Sequence, residues 1–299
     1  MPDQPQTSGS LTLTSARPRR SLLYMPGSNA RALEKARGLA ADALILDLED
    51  AVAPEQKDVA RELVCAAVKG GFGKREVIVR INALDSEWGD RDLLEIAAAK
   101  PDAILLPKVA SARDIHRVEQ RLQHVAETEN IAIWAMVETP KAVLDLNGIA
   151  AAGGRLSCLV LGTNDLIKEL GGTHTKDRTN LLYVLGQIVL VARAHGLAVI
   201  DGVHNDLSDS DGFVFACEQA RSFGFDGKTV IHPSQLAPCN TAFAPSAAEI
   251  EAAEKIVAAF SLPENQGKGA ILVDGRMVEK LHAEMAEKRL ALARTIAAS

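Results

Sequence analysis

The sequence predicts an α/β fold, a (β/α)8 TIM barrel with a C-terminal hairpin-plus-helix extension. Three observations lead there. One pattern recurs eight times: a short aliphatic run, a loop with polar residues and a helix-length stretch. The runs are almost continuously apolar, as parallel strands buried on both faces must be. With 299 residues, 47% of them hydrophobic, the chain can bury one large core. Counting units alone leaves a doubly wound sheet open, but eight of them fit a closed barrel better.

In chain order, residues 1–18 are polar and rich in Ser and Thr, and are expected to form a flexible leader. The strand runs begin at Ser21 (SLLYMPG), Ala43 (ALILDLED), Glu76 (EVIVRIN), Ala103 (AILLPK), Ile131 (IAIWAMVE), Cys158 (CLVLGTND), Leu197 (LAVIDGVH) and Lys228 (KTVIHP). Helix punctuation agrees with this phasing. Ser28 or Asn29 can cap the helix holding Leu33 and Ala36, and Ser111 can cap ARDIHRVEQRL. The stretch GGTHTKDRT (Gly171 to Thr179) reads as an inserted loop. These units give a barrel domain over 19–244. Residues 245–299 then form an extension that can cover a barrel mouth, its own or a neighbour's. Ser246 and Glu249 form a capping box, Asp274-Gly275 marks a hairpin, and a final helix follows.

Composition narrows the function. A formal net charge of −6 argues against nucleic-acid binding. No run of apolar residues is long enough for a membrane span. The four cysteines (Cys65, Cys158, Cys217, Cys239) show neither CxxC nor metal spacing, so they read as free thiols of a cytoplasmic protein. Ser/His/Asp sets, GxSxG, Walker and GxGxxG motifs do not occur.

In such a barrel the active site lies at the C-terminal ends of the strands. The polar residues there are Asp47, Glu49 and Asp50, Arg80 and Asn82, Lys108, Glu138, Asn164 and Asp165, Asp201 and His204, and His232. So many carboxylates at one mouth are costly without a cation. Glu138 and Asp165, each closing an apolar run, are the expected Mg²⁺ ligands, since this hard ion needs only one or two protein carboxylates beside water and substrate oxygens. Arg80 is expected to grip a substrate carboxylate bidentately, with an ion pair to Glu49 or Asp47 as the alternative. His204 and His232 read as structural more readily than as bases. Lys108 is a weak Schiff-base candidate, because a nearby carboxylate would keep it charged.

The segments RSLLYMPGSN, LILDLEDAVAPEQK, VIVRIN, ILLPKV, MVETPKAV and LGTNDL, in that order from about residue 19, resemble the motifs of the citrate lyase β-subunit family, the CitE-like CoA ester lyases of the HpcH/HpaI aldolase group. The resemblance implies a Mg²⁺-dependent barrel, with Mn²⁺ as a substitute, assembled as a homotrimer or hexamer. Its reaction would be reversible C–C cleavage of a 3-hydroxyacyl-CoA of malyl-CoA or citramalyl-CoA type into a short acyl-CoA and a 2-oxo acid. It implies Glu138 and Asp165 as metal ligands, Arg80 as the carboxylate clamp with Asn164 beside the substrate, and Glu49 and Asp47 as bordering acids. Arg20 and Lys57 are implied as contacts for CoA phosphates. Relatives commonly place an Asp of the C-terminal segment as general base in a neighbouring subunit's site. Here that stretch is MVEK, so Glu279 stands there and Asp274 five residues earlier is the other candidate. Two alternatives stay open: a citrate lyase β-subunit that needs partner chains, and a CoA-independent 2-oxo acid aldolase.

Overall fold

A computed structural model describes residues 17–298, so the expected leader lies outside the described residues except for Arg17 and Pro18. The eight expected runs are β1 (Ser21–Pro26), β2 (Ala43–Asp47), β3 (Glu76–Arg80), β4 (Ala103–Leu106), β5 (Ala132–Val137), β6 (Leu156–Leu161), β7 (Ala198–Asp201) and β8 (Gly227–Val230). They pair in sequence order, all parallel, and β1 closes on β8. The barrel is therefore closed and the open sheet is excluded.

Alternation along each strand sorts the core into two clusters. Leu22, Ile45, Ile78, Leu105, Trp134 and Val160 belong to the cluster that fills the barrel interior. Leu23, Leu44, Leu46, Val79, Ile104 and Leu159 belong to the larger one beneath the surrounding helices. The parallel register decides what tops the interior. Asp47 is directly opposite Arg80 across β2 and β3, both on the inward-facing phase of their strands.

The helix caps are those the sequence announces. Asn29, rather than Ser28, caps the helix Ala30–Ala36 by accepting from the backbone N–H of Ala32. Ser111 with Asp114, and Ser246 with Glu249, form capping boxes. The inserted loop is irregular until a short 3-10 turn at Thr179–Leu181, and the helix after it begins at Leu182.

Beyond the barrel, the helix Ala247–Ser261 leads to an antiparallel hairpin, β9 (Ala270–Val273) with β10 (Arg276–Glu279). Asp274 and Gly275 both have positive φ, 50° and 76°, the pairing that a tight two-residue hairpin turn requires. The final helix, Lys280–Ala297, packs against Ala247–Ser261. Its end reaches the loop before β3, where Lys74 Nζ donates to the carbonyl of Ala298 at 3.0 Å. The extension thus runs toward the N-terminal end of its own barrel, and among the described residues none beyond Ile231 lines the mouth cavity.

Candidate active site at the barrel mouth

A cavity of about 300 Å³ opens at the C-terminal ends of the strands, lined by residues that include Tyr24, Asp47, Arg80, Glu138, Gly162, Asn164 and Asp165. Residues from strands distant in sequence meet there because the barrel gathers every strand end at one mouth.

Asp47 and Arg80 form its buried edge. Asp47 is 1% exposed and Arg80 7%. Nε and Nη2 of Arg80 each donate to Asp47 at 2.7 Å, and Nη1 lies 3.0 Å from Glu49. This corrects the expected bidentate grip on substrate. The forked edge of the guanidinium already holds Asp47, and Nη1 is shared with Glu49 and, at 3.4 Å, with Asp50. Asp47 also accepts from the backbone N–H groups of Glu49 and Ala51, shaping the loop after β2. Burial opposes the charge on Arg80, but Asp47 outweighs it and holds the guanidinium firmly protonated.

Glu138 follows β5 directly and is 1% exposed. Its Oε1 accepts from the backbone N–H of Lys108 at 2.6 Å, a contact allowed by the left-handed backbone of Lys108, φ 51°. Its Oε2 is buried with no hydrogen-bond partner among the described residues. Burial, then the neighbouring charge of Glu49, pushes the Glu138 carboxyl up to about 7. Asp165 is half-buried in the first turn of the helix Thr163–Leu170 rather than at the strand end itself. Gly162, just before that helix, makes room for the Glu138 side chain, because a Cβ there would meet Glu138 Cβ at 2.5 Å and Oε2 at 2.7 Å.

The charge balance sharpens the metal argument. Arg80 compensates Asp47 and Glu49, and Lys108 Nζ stands 3.1 Å from the other oxygen of Glu49. Burial lowers the tendency of Lys108 to carry charge, but Glu49 more than restores it, so this lysine is a poor Schiff-base nucleophile. Among the described residues the acids left without an ion pair on this wall are Glu138 and Asp165. An orphaned buried carboxylate oxygen beside a second free carboxylate fits a hard cation with oxygen ligands. Two carboxylates without histidine or thiolate are the donor set Mg²⁺ takes when water and substrate complete its shell. Among the described residues no group of three or more His, Cys, Asp or Glu is placed to bind a metal by itself.

Other expectations are relocated. Arg20 lies before β1, at the opposite end of the barrel, where it forks onto Asp42 with contacts of 2.8 Å. Lys57 is buried, and its Nζ donates to the carbonyls of Leu48 at 2.8 Å and Glu49 at 2.7 Å, bracing the same loop that Asp47 shapes. Neither is free to meet a phosphate. Asn82 is likewise structural, donating to Leu48 O and Asp92. Asp201 points outward into the helix layer, bound by Arg178 and Lys228. His204 borders a second cavity, and His232 caps the turn at Pro233–Gln235. Asn164 does line the mouth and exchanges hydrogen bonds with Asn205. Asp274 is 77% exposed with Lys255 4.0 Å away, and exposed Glu279 caps the final helix. Neither lines the mouth of its own barrel.

Sequence reasoning missed Tyr24, Gly162 and Thr163. Period-two alternation would have placed Tyr24 on the inner face two residues above Leu22, but an aromatic residue in an aliphatic run carries no strand-end polarity to notice.

A family model described as HpcH/HpaI aldolase/citrate lyase matches residues 20–233. The chain is 50% identical over 284 residues to a (3S)-malyl-CoA thioesterase of Cereibacter sphaeroides, covering 95% of this chain and 97% of that one. It is 34% identical to the citrate lyase subunit beta of Escherichia coli, with 91% and 92% covered. Among solved structures, the CitE protein of Mycobacterium tuberculosis in complex with magnesium, acetoacetate and coenzyme A superposes with a TM-score of 0.78 at 30% identity, covering 94% of this chain and all of that one.

Proposed function

Because the chain belongs to the HpcH/HpaI aldolase/citrate lyase family, we propose that it is a Mg²⁺-dependent CoA ester lyase, splitting a 3-hydroxyacyl-CoA of malyl-CoA or citramalyl-CoA type reversibly into a short acyl-CoA and a 2-oxo acid. The observation that carries this reading is the pair of uncompensated carboxylates, Glu138 and Asp165, on one wall of the mouth cavity. They hold the metal. When bound, Mg²⁺ supplies Lewis acidity and a template for the 2-oxo acid. Arg80, which lines the cavity, supplies the positive field for the acid's carboxylate rather than a bidentate grip, because its fork is occupied by Asp47. Glu49 and Lys108 fix the orientation of that wall, and Asn164 borders the substrate.

The barrel over 19–244 carries this chemistry, and residues 245–299 serve as lid and assembly element of a homotrimer or hexamer. Leu272, Met277, Leu281 and Met285 support this reading, because these apolar side chains are 50–74% exposed along the hairpin and final helix. In the assembly, Asp274 or Glu279 enters a neighbour's mouth as the general base. Mixing inactive Glu138→Gln subunits with inactive variants of the extension should then restore turnover, because some sites receive both intact halves. Two inactive proteins that stay inactive when co-assembled would place the base elsewhere.

No helix among the described residues is long and apolar enough to cross a membrane, and all four cysteines are free. Both fit a cytoplasmic enzyme.

The deciding experiment incubates the purified chain with malyl-CoA, citramalyl-CoA and free 2-oxo acids, each with Mg²⁺ and with EDTA. Metal-dependent release of acetyl-CoA with glyoxylate or pyruvate is expected. Turnover only of free acids would replace the reading with an aldolase, and a silent chain would favour a partner-dependent subunit. The similarity to a malyl-CoA thioesterase over 95% of the chain supports a second reading, hydrolysis of the thioester. Thiol titration separates the two, since hydrolysis frees CoA and lyase chemistry leaves it acylated.

Arg80 has its own test. Arg80→Ala leaves buried Asp47 unpaired and should cost about 3–5 kcal/mol of stability. Arg80→Lys keeps the charge and is the informative variant: 2-oxo acid binding should weaken roughly tenfold or more, the loss of about one hydrogen bond to a charged group, with CoA binding unchanged. Equal loss of both would make Arg80 purely structural.

A further inference from the structure

The hydroxyl of Tyr24 is buried and has no hydrogen-bond partner among the described residues, although its residue lines the mouth cavity. It belongs to the interior cluster through β1, above Leu22. The Arg80 guanidinium lies 5.0 Å from the ring centre and fixes the ring's plane. Both oxygens of Asp47 are taken by Arg80 and the loop N–H groups, and Glu138 Oε1 is taken by Lys108. Burial keeps the phenol well above its ordinary pKa, so it is a neutral donor. A buried donor in a cavity wall that bonds no acceptor among the described residues is arranged for an oxygen that arrives with the ligand.

We propose that the Tyr24 hydroxyl donates a hydrogen bond to the thioester carbonyl oxygen of the CoA substrate and stabilises the charge that develops there. The inference rests on the CoA ester reading above. β1 and β5 stand on opposite sides of the eight-stranded barrel, so Tyr24 faces the wall that holds Glu138. The metal held by Glu138 and Asp165 and the charge of Arg80 serve the oxygens of the 2-oxo acid, which leaves the thioester carbonyl as the substrate oxygen still without a donor. In cleavage the base takes the proton of the β-hydroxyl, the oxygen's electron pair forms the new C=O, and the C–C pair passes to the thioester as an enolate. The Tyr24 hydrogen bond strengthens as that oxygen becomes negative, and Tyr24 keeps its proton. The proton taken from the hydroxyl returns to the enolate carbon, and acetyl-CoA leaves. Hydrolysis would develop charge on the same oxygen and use the same donor.

The test is Tyr24→Phe, which removes one oxygen and keeps the ring. Turnover of malyl-CoA should fall by roughly 10²-fold, the usual cost of losing one oxyanion donor, and exchange of acetyl-CoA methyl hydrogens in D2O should fall with it. The affinity for the 2-oxo acid and the stabilisation by Mg²⁺ should not change. The melting temperature of the free protein should stay level or rise, because an unsatisfied buried hydroxyl has gone. Turnover within twofold of wild type would overturn the proposal. So would a lowered melting temperature with 2-oxo acid affinity lost in proportion, which would make Tyr24 a packing residue. A wild-type protein that turns over no CoA ester would remove the lyase reading and this role together, and the wild-type control alone would reveal it.

Discussion

Glu138→Gln should abolish Mg²⁺-dependent turnover while leaving the metal-free protein as stable as wild type or more so. The two effects share one cause. Glu138 Oε2 is a buried carboxylate oxygen with no hydrogen-bond partner among the described residues, and without a metal its charge is a cost that the amide removes. The Gln carbonyl can still accept from the Lys108 N–H, so the loop after β4 keeps its anchor. With Mg²⁺ added, wild type should melt higher by the linkage between binding and folding, and the variant should not respond. The loss in turnover is expected at roughly 10²-fold or more, since Lewis-acid and template effects supply several kcal/mol. Asp165→Asn should lose turnover similarly but gain less stability, because Asp165 is only half-buried. Thermal melts with and without Mg²⁺ read both. A Glu138→Gln protein that still shows the full Mg²⁺-induced shift would remove Glu138 from the metal site.

What the sequence made legible follows from what periodicity encodes. Eight apolar runs named the strands because burial on both faces leaves a continuous signature in each, and parallel pairing turned their ends into one mouth. That located Glu138, Arg80 and Asn164 on its wall. The same reasoning could not say which way a strand-end side chain turns. Asp47 and Asp201 each end a strand, yet Ile45 puts Asp47 on the inner phase while Ile200 occupies that phase next to Asp201, which therefore faces the helices. Partner choice was illegible for another reason. The fork of Arg80 closes on Asp47 because β2 and β3 pair in a register that places them opposite each other, and register is a three-dimensional fact. Arg20 was misplaced because a basic residue beside a strand motif does not say at which end of the barrel it stands; its position before Ser21 puts it at the N-terminal end.

Asp201 is where that outward turn should be felt most strongly in stability. It is fully buried between Arg178, whose Nη2 donates to Oδ1 at 2.6 Å, and Lys228, whose Nζ donates to Oδ2 at 2.6 Å. Lys228 is 1% exposed. Asp201→Asn keeps the shape and removes the only charge that neutralises these two cations among the contacts described for them. Leaving them uncompensated should cost about 3–5 kcal/mol. Arg178 closes the inserted loop from a left-handed backbone position, φ 56°, so the loop should open first, becoming sensitive to protease before the barrel melts. The pH dependence has a definite sign. Burial alone would raise the Asp201 carboxyl, but Lys228 and Arg178 outweigh it and hold it below its ordinary value of 3.8. A depressed folded-state value means that the stabilisation is complete above the unfolded value of about 3.9 and is lost as pH falls below it. Wild type should therefore lose stability steeply in acid, and Asp201→Asn, already lacking the carboxylate, should lose less over the same window. Denaturant midpoints at neutral pH and at acid pH for both proteins give the comparison. Parallel slopes would mean that the triad does not carry the acid sensitivity.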